Sequence, residues 1–330
     1  MMRQGRVVVT GCAGFIGSHL CERLVEQGRE VIGIDCFTNY YPRERKERNL
    51  ALLREVPAFT LIEADLASAP LDGLLEGIDT VFHLAAQAGV RGSFGESFRD
   101  YVNANVLTTQ RLLEQAVKTP VGAFVYASSS SVYGDAPAYP THEQTERRPV
   151  SPYGMTKVAT EELAGVYQRC FGVPVVGLRY FTAYGPRQRP DMAFWRFLHC
   201  ALGGTPLPLN GDGCQVRDFT FVDDVVDGTL AAARLGRMGA VYNVGGGSPV
   251  ALIDAVRLIG ELVGRQIEVA HVPAPVGDPR CTGCDPSLAM AELGFVPQTP
   301  LRDGLAAQLE WMLAEEGPDT RELIAAGVRA

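Results

Sequence analysis

The sequence predicts an α/β protein, a doubly wound parallel sheet with a smaller α/β lobe towards the C-terminus. Three observations carry that prediction. Short apolar runs alternate with amphipathic stretches through the first half of the chain. A glycine triplet stands between the first apolar run and the first amphipathic stretch. After Thr182 the texture changes, and Pro and Gly become frequent. Strands that alternate with helices imply a parallel sheet covered on both faces.

Taken in order, Arg6 to Thr10 reads as a short buried strand and Ile16 to Gln27 as a helix. Glu30 to Asp35, Phe59 to Glu63, Thr80 to Leu84 and Ala123 to Ala127 read as further strands. Long helical patterns run from Phe98 to Val117 and from Tyr153 to Phe171, and Val175 to Arg179 is a late strand. Beyond it come short elements punctuated by Gly185-Pro186, Gly203-Gly204 and Gly211, then an amphipathic helix from Leu301 to Glu315. The last stretch, Gly317 to Ala330, reads as a short helix or a frayed end. Residues 1–182 are therefore expected to form a dinucleotide-binding domain, and 183–330 mainly a second lobe, with the chain crossing back between them.

The length of 330 residues suits one large domain or a large and a small one sharing a cleft. A net charge of −8 argues against a general nucleic-acid binder, which needs a basic face. No apolar run reaches the roughly 18 residues of a membrane span, and nothing at the N-terminus resembles a signal peptide. The eight cysteines are scattered, several inside apparent core elements, as reduced thiols of a cytoplasmic protein would be. Cys281-Thr282-Gly283-Cys284 has no second pair to complete a zinc site, so packed thiols and no metal are expected.

Gly11, Gly14 and Gly17, with Phe15 and Ile16 between them, follow a predicted strand and open a predicted helix. That arrangement brings backbone N–H groups and a helix N-terminus up to a pyrophosphate, the Rossmann-type solution. Asp35 closes the second strand about 20 residues further on. A carboxylate there accepts from the adenosine ribose hydroxyls and repels a 2′-phosphate, so NAD is the expected cofactor rather than NADP. Asp65-Leu66 ends another strand and either meets the adenine edge or simply turns the chain.

Tyr153 and Lys157 are four residues apart on a predicted helix, which puts phenol and ammonium on one face. They follow the serine cluster Ser128-Ser129-Ser130-Ser131-Val132-Tyr133-Gly134. A hydroxyl, a phenol, an ammonium and a dinucleotide loop are the equipment for moving a hydride to and from a carbon that bears a hydroxyl.

These motifs, with His83-Leu84-Ala85-Ala86 and Arg217-Asp218-Phe219, resemble the extended short-chain dehydrogenase/reductase family over nearly the whole chain. The resemblance implies that Tyr153 is the general acid/base, its pKa lowered by Lys157 and the nicotinamide. It implies that Lys157 also holds the nicotinamide ribose, and that Ser129 steadies the reacting oxygen. Leu84, Ala85 and Ala86 would line the cofactor site. Asn105 would support it from the start of a helix, unless it is a helix-surface amide, and His83 reads as a core strand residue.

Within the family the sequence is most similar to UDP-glucuronate 4-epimerases. The similarity lies in Asp35-Cys36-Phe37-Thr38-Asn39-Tyr40-Tyr41-Pro42, Gln87-Ala88-Gly89-Val90-Arg91, the serine turn, Phe181-Thr182-Ala183-Tyr184-Gly185-Pro186 and Arg189-Pro190-Asp191-Met192-Ala193. It implies a UDP-sugar substrate, NAD-dependent inversion at C4 through a transient 4-keto sugar, and a homodimer built on the two long helices. Ser129, Ser130, Ser131 and Thr182 would offer hydroxyls to the sugar carboxylate, and Arg91, Arg189, Arg217 and Arg280 would hold anionic groups. Asp278 would contact the uridine ribose, and Phe194 and Leu209 would either flank the uracil or pack in the core. Three alternatives stay open: a UDP-glucose/UDP-galactose 4-epimerase, a UDP-glucuronate decarboxylase and a non-catalytic NAD-binding regulator.

Overall fold

The computed structural model describes residues 5–246, 249–274 and 276–315. The expectation for 317–330 lies outside the described residues. The first half contains β1 (Arg6–Thr10), α1 (Phe15–Glu26), β2 (Val31–Asp35), α2 (Arg43–Asn49), β3 (Phe59–Glu63), β4 (Ile78–His83) and α3 (Phe98–Tyr101). It continues with α4 (Thr108–Lys118), β5 (Ala123–Ser129), α5 (Pro152–Phe171) and β6 (Val175–Tyr180). The second half contains β7 (Thr182–Tyr184), α6 (Ala193–Gly203), β8 (Leu207–Asn210), β9 (Val216–Phe221), α7 (Val222–Leu235) and β10 (Val241–Val244). It ends with β11 (Pro249–Ala251), α8 (Leu252–Val263), β12 (Val269–Val272), α9 (Ser287–Leu293) and α10 (Leu301–Glu315).

Among the described residues, seven strands form one sheet in the order β10-β6-β5-β4-β1-β2-β3. Every pairing in it is parallel. Side chains alternate along its strands: Val7 and Val9 of β1 enter one core, Val8 the other. The first core holds Leu20 and Leu24 of α1 and Val225 of α7. The second holds Leu112 and Leu113 of α4 and Ala164 of α5. Helices thus cover both faces, as the alternating pattern predicts.

The first core continues without a break into the second lobe, through Phe197 and Leu198 of α6 and Val256 and Ile259 of α8. Phe194 stacks on Phe219 with ring centres 4.1 Å apart, and Leu209 is buried as well. Core packing is therefore what these two residues do. A three-stranded sheet (β11-β9-β7) and a two-stranded one (β12-β8) complete this lobe. Strand β10 returns to the large sheet beside β6, the crossing back expected after 182.

The predicted helix from Phe98 to Val117 is interrupted by a wide π turn at Val102–Leu107. Asn105 lies inside that turn, not at a helix start. Its main-chain carbonyl accepts from the Thr109 hydroxyl at 2.6 Å and the Thr160 hydroxyl at 3.2 Å. Side-chain hydroxyls that compete for a helix carbonyl loosen the regular ladder. Helix α5 is better specified. Ser151 caps it by accepting from the Gly154 N–H at 3.1 Å, Pro152 opens it, and Gly172 closes it at φ +72°.

Candidate active site

The C-terminal ends of β1, β2, β4, β5 and β6 converge on one cavity of about 410 Å³. Clefts of open parallel sheets form at that edge, where loops leave in different directions. Gly11, Gly14, Phe15, Ile16, Gly17, Asp35, Asp65, Leu66, Leu84, Ala85 and Ala86 line one end. Ser129, Ser130, Ser131, Tyr153, Lys157, Thr182 and Arg189 line it too, with Tyr40, Tyr41 and Met192.

The glycine end fits NAD on its own geometry. Gly11 has φ +73°, and a Cβ there would lie 2.8 Å from the Ala85 nitrogen. A Cβ on Gly17 would lie 2.1 Å from the Gly11 carbonyl oxygen, so a side chain is excluded on backbone grounds. Gly14 precedes α1 with no side-chain cap, which leaves first-turn N–H groups for an anion in the cleft. The Asp35 carboxylate is fixed beside them, accepting from the Phe37 N–H at 2.8 Å and the Ala13 N–H at 3.2 Å. Asp65 accepts from the Ala67 N–H at 2.9 Å to shape a turn, and it borders the cavity.

At the other end, the Ser129 hydroxyl oxygen accepts from the Ser131 N–H at 3.1 Å, which orients the serine turn. Burial pushes the Tyr153 pKa up, while the Ser129 side chain and the Arg189 charge pull it down. Burial outweighs them, so in the protein without its cofactor the phenol stands above its ordinary value. The Lys157 ammonium donates to the Ala127 carbonyl at 2.8 Å and stands 5.9 Å from the centre of the Tyr153 ring. Burial lowers the Lys157 pKa to about 8, against the pull of Glu161. His83 is a core residue, held between the Thr10 hydroxyl at 2.8 Å and the Thr109 hydroxyl at 3.0 Å.

Asn105 does not border the cavity. It is buried behind the wall, where its amide accepts from the Gln87 N–H at 2.8 Å and donates to the Thr156 hydroxyl at 2.9 Å. It ties the loop after β4 to α5, so its support of the cofactor end is indirect.

Three of the four anion-binding arginines also lie outside the cavity lining. Arg217 pairs with Asp278 at 2.5 Å, and Arg280 forms a two-pronged pair with Asp212 at 2.8 and 2.7 Å on an exposed loop. Arg91 is exposed in a short turn next to Val90, which does line the cavity. These charges therefore do not line the cavity with Ser129 and Tyr153. Arg189 does reach the cavity, gripped by Asp191 through two hydrogen bonds of 3.0 Å.

Sequence reasoning missed two features. Lys46 stands in the charged run Arg-Glu-Arg-Lys-Glu-Arg-Asn, yet it is buried and lines the cavity. A polar network behind the serine turn joins Glu161, Arg179, Ser128 and Tyr133 across three elements. The spacing of Lys157 and Glu161, one helical turn apart, is the only signal in the sequence that could have found the second.

Comparison with known proteins bears on this geometry. The profile of the NAD dependent epimerase/dehydratase family matches residues 7–245. A Bacillus subtilis (strain 168) protein described as an uncharacterized UDP-glucose epimerase is 43% identical over 311 residues, covering 93% of this chain and 98% of the relative. The UDP-glucuronate 4-epimerase of Thermodesulfobacterium geofontis is 35% identical, covering 93% of this chain and 96% of the relative. The crystal structure of the Bacillus cereus UDP-glucuronic acid 4-epimerase with UDP-glucuronic acid and NAD superposes with a TM-score of 0.91. It is 40% identical and covers 93% of this chain and 98% of its own.

Proposed function

This chain belongs to the NAD dependent epimerase/dehydratase family, and from that premise we propose that it inverts C4 of UDP-glucuronate to give UDP-galacturonate. One observation carries the reading. A ring of hydroxyls, Ser129, Ser130, Ser131 and Thr182, shares a cavity with Tyr153, Arg189 and the glycine loop. Hydroxyl donors suit a sugar carboxylate without burying a permanent positive charge beside the nicotinamide.

Bound NAD supplies the acceptor, and later the donor, of the C4 hydride. Tyr153 takes the proton of the C4 hydroxyl and returns it after the 4-keto sugar has presented its other face. Ser129 donates to the same oxygen as it becomes a carbonyl. Lys157 holds the nicotinamide ribose. With NAD bound, Lys157 and the positive charge of the nicotinamide together would lower the Tyr153 pKa towards the working range. Arg217, Asp278, Arg280 and Arg91 are the groups we assign to the UDP moiety. In that assignment Arg217 exchanges Asp278 for a diphosphate oxygen.

Residues 1–182 would then serve chiefly the cofactor and 183–315 chiefly the nucleotide sugar. We further assign a homodimer to α4 and α5, of which α5 exposes Met155, Val166 and Phe171. Among the described residues all eight cysteines are free, which suits a cytoplasmic protein, and no helix is long and apolar enough to cross a membrane.

The test is to incubate the protein separately with UDP-glucuronate and UDP-glucose and to identify the sugars by NMR. UDP-galacturonate as the main product supports the reading. Faster turnover of UDP-glucose would replace it with the reading that the Bacillus subtilis relative's description suggests.

A further inference from the structure

Helix α10 buries Leu305, Leu309 and Met312 on one face, and Gln308 stands on that same face, fully buried. The spacing calls for an apolar residue there. Burying an amide is costly unless its donors and acceptors are met. Gln308 meets them in a single turn of the chain. Its side-chain oxygen accepts from the Gly185 N–H at 3.0 Å, and its amide donates to Gln188 Oε1 at 2.8 Å. Gln188 is buried too. It donates back to the Ala183 carbonyl at 3.1 Å and accepts from the Trp195 N–H at 2.9 Å. The two amides form a relay from α10 into the turn between β7 and α6.

That turn needs holding. Gly185 has φ +135° and Arg187 has φ +63°. The second is a conformation that a long side chain adopts only where its surroundings enforce it. On its other side the turn is tied to α1. His19 donates to the Pro186 carbonyl at 3.0 Å, and Arg187 donates to Glu22 at 2.8 Å. Thr182 before the turn and Arg189 after it both line the cavity, whereas Gln308 does not. Resting on the UDP-glucuronate reading above, we infer that Gln308 is a positioning residue, which acts through Gln188 and Gly185 to hold Thr182 and Arg189 towards the sugar. Its loss slackens the sugar end of the site. The nucleotide end, assigned to Arg217 and Arg280, stays as it was.

Initial rates of epimerisation by the NAD-loaded protein, followed by NMR, give KM for UDP-glucuronate and the inhibition constant of UDP, which lacks the sugar. Gln308→Met should raise KM by about fivefold or more, the worth of one hydrogen bond, and leave the inhibition constant within about twofold. A residue that only stabilised the fold would lower the amount of active protein, and so the apparent kcat, without separating these two constants. Gln188→Met should show the same split. The double variant should be no worse than the more affected single one, because the two amides act in series. An unchanged KM in Gln308→Met, two constants that rise together, or effects that multiply in the double variant overturn the inference. Where Gln308→Met does not fold, Gln188→Met is read by the same split. Failure of the unaltered protein to turn over UDP-glucuronate would count against the parent reading instead.

Discussion

Glu161 of α5 and Arg179 of β6 form a buried, doubly hydrogen-bonded ion pair, with nitrogen–oxygen distances of 2.8 and 2.7 Å. The Ser128 hydroxyl donates to the same carboxylate at 2.5 Å. Arg179 also donates to the Tyr133 hydroxyl at 2.8 Å. The pair therefore clamps the end of β5, which carries Ser129, to the helix that carries Tyr153 and Lys157.

Breaking the clamp on one side leaves the other charge buried without a partner. Glu161→Gln is expected to cost about 3–5 kcal/mol in denaturant unfolding. Burial pushes the Glu161 pKa up, but Arg179, Ser128 and Arg147 outweigh it and hold the carboxyl below its ordinary value of 4.5. A depressed carboxylate contributes stability that is present above its unfolded pKa and lost as pH falls through the folded one. The gap between the two proteins should thus be constant above pH 4.5 and shrink below it. A gap independent of pH would deny Glu161 this role.

Tyr153→Phe removes the proton carrier and leaves the glycine loop and Asp35 untouched. Epimerisation should fall by about 10²–10⁴-fold, the usual worth of a positioned acid/base group. NAD affinity, measured by calorimetry, should stay within a small factor of the starting value. Turnover close to that of the unaltered protein would remove Tyr153 from the chemistry.

Much of this was legible in the sequence, and the limits have physical causes. The short apolar strands, the glycine loop and the YxxxK helix are local signals, and the large sheet follows from them. Asn105 was harder to read. Its place in a π turn depends on hydroxyls at Thr109 and Thr160, the second far away in the chain. Lys46 was hidden because burial of one residue in a charged helix is a tertiary fact. Arg217 and Arg280 were found as charges, but their carboxylate partners Asp278 and Asp212 join them only through folding.

Lys157 should weaken the protein that it equips. Burial lowers its pKa from 10.5 to about 8, so at neutral pH the folded state must keep an ammonium charged where water is scarce. The unfolded chain binds this proton more tightly, so the residue's contribution to stability rises with pH between those two values. Lys157→Met is therefore expected to be more stable than the unaltered protein at pH 7, by on the order of 1–2 kcal/mol after loss of the bond to Ala127. The difference should close as pH rises from about 8 to 10.5. Equal stability of the two proteins at pH 7 would show that the ammonium is better solvated than its burial indicates.

Thr182 tests what the hydroxyl ring is for. Oxidation of a glucuronate at C4 gives a β-keto acid whose carboxylate leaves as CO₂ when the breaking bond aligns with the carbonyl π system. An epimerase must hold the carboxylate out of that alignment while the ring turns over. Thr182 begins β7, and its main chain is pinned by the pairing of that strand with β9 at Phe219, so its hydroxyl is offered from a fixed support. Thr182→Ala removes a donor of roughly 1 kcal/mol without moving the strand, whereas Thr182→Ser keeps it. With UDP-glucuronate as substrate, NMR should find a several-fold larger share of UDP-pentose from Thr182→Ala, and a share near the original from Thr182→Ser. An equal share from all three proteins would mean that Thr182 does not restrain the carboxylate, leaving the three serines to do so.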